Sequence, residues 1–108
     1  MLRQVQNAAE QPVGSETFAT GERAGSITAV QLPDVPGRYV QLTARMANPG
    51  AIWWGNSAAV TKGAGTTTTT CGSPLWAGTS TPWIPIANLN KIWIICDNAA
   101  DHLTYVVV

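Results

Sequence analysis

A chain of 108 residues is long enough to close one hydrophobic core without metals or disulfides, and too short to make a second domain expected. Apolar residues make up 45% of it and charged residues 11%, against the roughly one quarter charged that soluble domains carry. Six basic side chains balance six acidic ones, so no net field draws in a polyanion, which argues against nucleic acid as a partner.

In chain order, the opening MLRQVQNAAEQPVGSE has no apolar run of the signal-peptide kind, and no stretch is long and apolar enough to cross a bilayer. Synthesis in the cytosol and no membrane partner are expected. Residues 1–25 mix Gln, Glu, Asn, Ala, Gly and Thr with little periodicity, and read as an N-terminal arm that orders only against something else. Residues 26–108 read as one β-domain.

The first strand is predicted at residues 26–32, ended by Pro33-Asp34-Val35-Pro36-Gly37, whose prolines deny ladder hydrogen bonds. In residues 38–46, Val40, Leu42, Ala44 and Met46 alternate with Tyr39, Gln41, Thr43 and Arg45, the two-residue period of a half-buried strand. Asn48-Pro49-Gly50 closes it. Residues 52–55 make the next strand, and Val60 with Thr61 begins another before the loop-like stretch 62–70, whose last five residues are threonine. Residues 75–76 and 83–86 give two short strands around the turn Ala77-Gly78-Thr79. The last two are 91–96 and 103–108, joined by Asp97-Asn98-Ala99-Ala100-Asp101-His102. Gly or Pro interrupts almost every helical window up to Pro85, and the residues beyond are rich in Ile, Val and Thr, whose branching at Cβ suits a pleated surface. The fold class is all-β, an antiparallel β-sandwich of jelly-roll type with an N-terminal arm.

His102, the one histidine, stands beside Asp101 and near Asp97. A triad would also need a nucleophile and oxyanion donors, and a zinc site more ligands, so the loop reads as a solvated turn held by its Asp and Asn side chains. No catalytic residue, metal ligand or cofactor is assigned, and the chain is not expected to be an enzyme. Cys71 and Cys96 are expected as free thiols, Cys96 buried and Cys71 in a loop.

The five tryptophans are the sharper feature. Trp53 and Trp54 are consecutive, so on a strand one of them leaves the sandwich interior. By the same parity Trp93 faces with Ile95 and opposes Ile92, Ile94 and Cys96. Three of the five tryptophans are expected in the core and the others at a subunit interface, with sugar stacking as the rival use of an exposed ring. Between residues 46 and 90 the only charged side chain is Lys62. So neutral a surface suits a subunit packed among neighbours.

With the strands placed, the segments "IWWGNSAAVTKGAG", "PLWAGTSTPWIPIANLNKIWIICDN" and "ADHLTYVVV" can be compared with known patterns. Trp54, Gly55, Asn56, Ser57, Val60 and Thr61, then Leu75, Gly78 and Ser80, then Ile86, Asn88, Leu89, Ile92, Trp93, Ile94 and Tyr105 fall in the order found in small virion proteins of tailed bacteriophages. Over residues 38–108 the chain resembles these proteins, above all capsid decoration (cement) proteins. The resemblance implies a β-sandwich displayed on a virion after synthesis in the bacterial host cytoplasm. It also implies binding to the major capsid protein, self-association as a homotrimer and stabilisation of the shell. The interface residues expected on this footing are Leu2, Arg3, Val5, Trp53, Trp54, Trp76 and Trp83. The alternative is a carbohydrate- or receptor-binding module of a phage tail or fibre.

Overall fold

The computed structural model describes residues 18–63 and 70–108, so Leu2, Arg3, Val5 and the bulk of the expected arm lie outside the described residues. Eight strands follow in chain order: β1 (Ala19–Ala24), β2 (Val30–Gln31), β3 (Tyr39–Ala44), β4 (Ile52–Gly55), β5 (Ser73–Leu75), β6 (Ile84–Pro85), β7 (Trp93–Cys96) and β8 (His102–Val107). They form two four-stranded antiparallel sheets, β1-β8-β3-β6 and β2-β7-β4-β5. The one helical element described is a 3-10 turn at Leu89–Lys91. The chain is all-β, as its sequence predicts.

The pairing is nested. The first strand bonds to the last, β2 to β7, β3 to β6 and β4 to β5. That is one long antiparallel hairpin, rolled up so that β8 also meets β3 and β7 also meets β4. The roll places the connections β1–β2, β3–β4, β5–β6 and β7–β8 at one end, and the start of β1 with the end of β8 at the other.

Period-two alternation decides what faces inward. Val40, Leu42 and Ala44 of β3, Ile94 and Cys96 of β7, and Leu103 and Val107 of β8 are buried, and their odd-even neighbours are not. With Leu32, Ile52, Leu75, Leu89 and Ile92 they make a single core cluster between the sheets. Burying one Leu of this kind is worth about 2–3 kcal/mol.

Several sequence boundaries move. Residues 19–24, assigned to the arm, form β1, paired with β8 over its whole length. Residues 19–24 therefore belong to the β-domain. The signal was the alternating half-burial of a strand whose inward residues are Ala19, Gly21 and Arg23, too small or too polar to read as a core face. The strand expected at 26–32 shrinks to β2, because Ser26 Oγ accepts from Thr28 N at 3.2 Å and turns the chain before a ladder can start. The strand expected at 91–96 starts at Trp93. Asn88 Oδ1 accepts from Asn90 N at 2.9 Å and from Val35 N at 3.1 Å, while its Nδ2 donates to Asp34 Oδ1 at 2.7 Å. One side chain thus caps the 3-10 turn and ties it to the 34–36 segment. Thr61 makes only an isolated parallel bridge to Cys71. The turn at 77–79 forms as expected, with Gly78 at φ 78°, a left-handed conformation that glycine adopts without steric cost.

Candidate functional site

His102 opens β8 on the outer face of the first sheet. Its Nδ1 lies 3.0 Å from Glu22 Oε2, and the same oxygen accepts from Arg45 Nη1 at 2.8 Å. Register explains the meeting: Ala24 pairs with His102 and Glu22 with Thr104, which itself pairs with Thr43, so β1, β8 and β3 bring these side chains to one row. The cluster is half exposed. It sits beside Thr43, Thr104 and Ser80, whose hydroxyl is 2.7 Å from that of Thr43. No nucleophile with its own base stands there, and the contacts are those of a surface ion pair.

Asp101 is not a solvated turn residue as expected but wholly buried. Its Oδ1 accepts from Gly50 N at 2.8 Å and its Oδ2 from Asn98 N at 2.9 Å. The physical reason is the facing β3–β4 connection, whose backbone donors would otherwise be orphaned. Asn48 completes the clamp, accepting from His102 N at 2.7 Å and donating to His102 O at 2.8 Å. A Cβ at Gly50 would come within 2.6 Å of Asp97 Cβ, so only glycine lets the two connections close. Among the described residues, no group of three or more His, Cys, Asp and Glu side chains is arranged to hold a metal ion.

The tryptophans depart from expectation. None belongs to the buried core, and only Trp54 packs against it. Parity gives the reason: Trp53 pairs with Ile95 and Pro74, and Trp93 pairs with Gly55 and Gln31, all on the outer face of the second sheet. Trp76 and Trp83 flank strands and stay exposed, at 58% and 47%. Of the expected interface residues, Trp54 is committed inward, Trp53 is half covered, and Trp76 and Trp83 face solvent. Ile27 and Met46, 86% exposed, join them; the alternation places Met46 with the inward residues of β3, but that strand ends at Ala44 and the side chain turns to solvent.

Trp53 organises one end of the outer face. Its ring meets Trp76 edge-on, with centroids 6.2 Å apart and planes at 69°. Its Nε1 donates to Asp97 Oδ1 at 3.1 Å, and Asp97 Oδ2 accepts from Ala51 N at 3.0 Å. Asn48, Pro49, Gly50, Ala51, Trp76, Ala77 and Asp97 surround an open cleft of about 470 Å³ at the end holding the β3–β4, β5–β6 and β7–β8 connections. A second shallow hollow, about 430 Å³, lies between Arg38, Tyr39 and Pro85.

The sheet edges differ. β5 contains Pro74, β6 ends on Pro85, and β2 is two residues long and runs to Pro33. β1 has six residues and no proline. Tyr39 and Val108 exchange both main-chain hydrogen bonds, and Arg45 N donates to His102 O, so even-numbered residues of β8 turn their backbone to β3. The odd ones turn to β1 and bond Ala19, Gly21 and Arg23. The N–H and C=O groups of Thr20, Glu22 and Ala24 therefore point away from the sheet, and no described strand covers them.

Comparison of the chain with family models, with curated proteins and with solved structures returned no match in any of the three.

Proposed function

We propose that the chain is a structural protein of a tailed-bacteriophage virion, a capsid decoration (cement) protein that binds the major capsid protein and stabilises the shell, and that its sandwich is a jelly roll. The nested pairing of first strand with last supports the fold assignment, since a long hairpin wound into two sheets is that topology. The residues that carry the resemblance to such proteins are scaffold residues. Asn88 staples, Leu89, Ile92 and Ile94 are core, and Ser80 ties to Thr43.

The observation that carries the role is the pairing of a stretch, residues 46–90, whose only charged side chain is Lys62, with large exposed apolar side chains such as Trp83, Met46 and Ile27. Exposed apolar side chains of that size are stable when a partner covers them. The edge of β1, which no described strand covers, adds main-chain groups that a second copy or a neighbouring subunit satisfies. The mechanism is burial, with no bond made or broken, so the protein is not an enzyme and needs no cofactor. Many copies on one lattice convert modest single-site affinity into firm retention.

The test uses particles that lack the chain. Purified protein should sediment as a homo-oligomer, a trimer on the family resemblance, and adding it back should restore heat resistance to the particles. Removing residues 1–17 should leave the β-domain folded and weaken attachment, whereas removing 1–25 should also strip β1 and destabilise the domain. Salt should weaken binding little, because apolar and main-chain contacts are not screened. A chain that stays monomeric and leaves particle stability unchanged would refute the proposal.

A further inference from the structure

We infer that the cleft at the loop end of the sandwich is a subsite for a neutral carbohydrate, with Trp76 as the stacking platform and the Asp97 carboxylate as the acceptor for sugar hydroxyls. This goes beyond the assembly role and does not depend on it.

Three observations carry it. The Trp76 ring is largely open, yet it is held in place by the edge contact with Trp53 and by the turn in which Thr79 N and Thr79 Oγ1 both donate to Trp76 O, at 3.0 and 2.6 Å. A fixed, exposed indole offers an apolar face at low entropic cost, which is what the C–H face of a sugar ring stacks on. Asp97 lines the same cleft, exposed and preset by its bonds from Ala51 N and Trp53 Nε1. Each carboxylate oxygen has one acceptor position left, so the group can take hydrogen bonds from two neighbouring hydroxyls. The walls are rigid, because Asn48 and Asp101 spend their polar atoms joining the β3–β4 and β7–β8 connections.

Charge and shape select the ligand class. Asp97 is the one charged residue among those lining the cleft, which disfavours uronic and sialic acids. An aromatic cage for a cation turns several ring faces toward one point, and here Trp53 and Trp76 meet edge-on and form no such cage. The cleft is open and shallow, as suits a polymer end or chain rather than an enclosed small molecule. It also lies at the end away from the start of β1, so a module tethered through its leading residues presents the cleft outward.

The test is a 1H–15N titration of the full chain with cellohexaose, laminarihexaose, maltohexaose and chitohexaose, following the Trp76 indole N–H. Tetragalacturonic acid and choline serve as the acidic and cationic comparisons. At least one neutral hexaose should shift the Trp76 and Asp97 signals with a dissociation constant of about 0.1–10 mM. Trp76→Ala should weaken it about tenfold or more, Trp76→Phe less, and Trp83→Ala should leave it unchanged. Unchanged circular dichroism of the Trp76 variants shows that the fold is kept. The inference is overturned if no neutral hexaose moves the Trp76 signal up to about 10 mM, if Trp76→Ala binds as wild type does, or if choline or the acidic sugar binds better than every neutral one.

Discussion

The two sheets share one inward rule and differ in what they show the outside. The first, β1-β8-β3-β6, carries Thr20, Glu22, Gln41, Thr43, Thr104 and His102 outward, joined by hydroxyl and ion-pair contacts that water can replace. The second, β2-β7-β4-β5, carries Trp53, Trp93, Ile95 and Pro74 outward. That face does not stand bare. Val60, 3% exposed yet outside the core cluster, lies where a Cβ on Gly55 would touch it, and Cβ atoms on Gly63 and Gly72 would come within 2.7 and 2.9 Å of Trp53. The β4–β5 connection thus makes a small second apolar layer on the outside of the sheet. An apolar outer face must be covered by the chain itself or by a partner, and among the described residues Val60, Gly63 and Gly72 cover the part around Trp53.

Neighbouring residues on β3 give the largest effect with which to test that division. Leu42 is wholly buried and Thr43 points outward, so Leu42→Ala should cost about 2–5 kcal/mol and Thr43→Ala no more than about 0.5 kcal/mol. Urea unfolding of both variants measures this. Similar losses at the two positions would mean that the first sheet is covered on both faces.

Trp53→Ala probes the second layer. It removes the edge contact with Trp76, the hydrogen bond to Asp97 and the surface on which the β4–β5 connection rests, and should cost about 1–3 kcal/mol. Amide exchange should quicken in residues 56–63 and 70–72 and stay unchanged in β1 and β8. Quickening across both sheets would show that Trp53 belongs to the main core after all.

How much of this was legible beforehand follows from periodicity. β3 was readable because Val40, Leu42 and Ala44 are all apolar and all inward. The outward position of Trp93 was readable by parity against Ile94 and Cys96. β1 was not, since its inward face is built from Ala19, Gly21 and Arg23 and takes its stability from the ladder to β8. Nor was the cleft. Asp97 and Trp76 are far apart in sequence and meet only because the roll stacks the β5–β6 and β7–β8 connections at one end, and no local pattern encodes that. The burial of Asp101 was hidden for the same reason, its partners being supplied by Gly50 across the fold as well as by its own turn.

The two cysteines place one thiol inside and one on the covering connection. A thiol reagent should label the exposed Cys71 in the native protein and reach Cys96 only on unfolding. Burial pushes the Cys96 thiol above its ordinary value of 9.0, aided by the negative charges of Asp101 and Asp97 and opposed by its contact with the Ser26 backbone. The folded state then keeps a proton that the unfolded chain has lost. This contribution to stability is fully present below pH 9.0 and declines as pH rises above it. Cys96→Ala should remove that decline, and a variant with the same alkaline slope as wild type would assign the slope to another group.

The smallest effect is expected on the polar outer face, where Glu22 accepts from Arg45 and approaches His102. The side chains of Glu22 and Arg45 are 49% and 46% exposed, so water replaces most of what the pair supplies and the entropy of fixing two long side chains opposes the rest. Pairs of this kind are worth about 0–1 kcal/mol. Glu22→Gln keeps the shape and an acceptor oxygen, so its loss should fall within that range and shrink further as salt is added, because exposed charges are screened over about 10 Å at 0.1 M salt. The same substitution leaves the outward N–H and C=O of residue 22 in place. If β1 is an association edge working through its main chain, Glu22→Gln should therefore leave the sedimentation of the oligomer unchanged. Replacing Glu22 by proline removes the outward N–H and should abolish pairing at that edge. An oligomer lost with Gln and kept with Pro would place the association in side-chain charge, and would reverse the roles assigned here to the two faces.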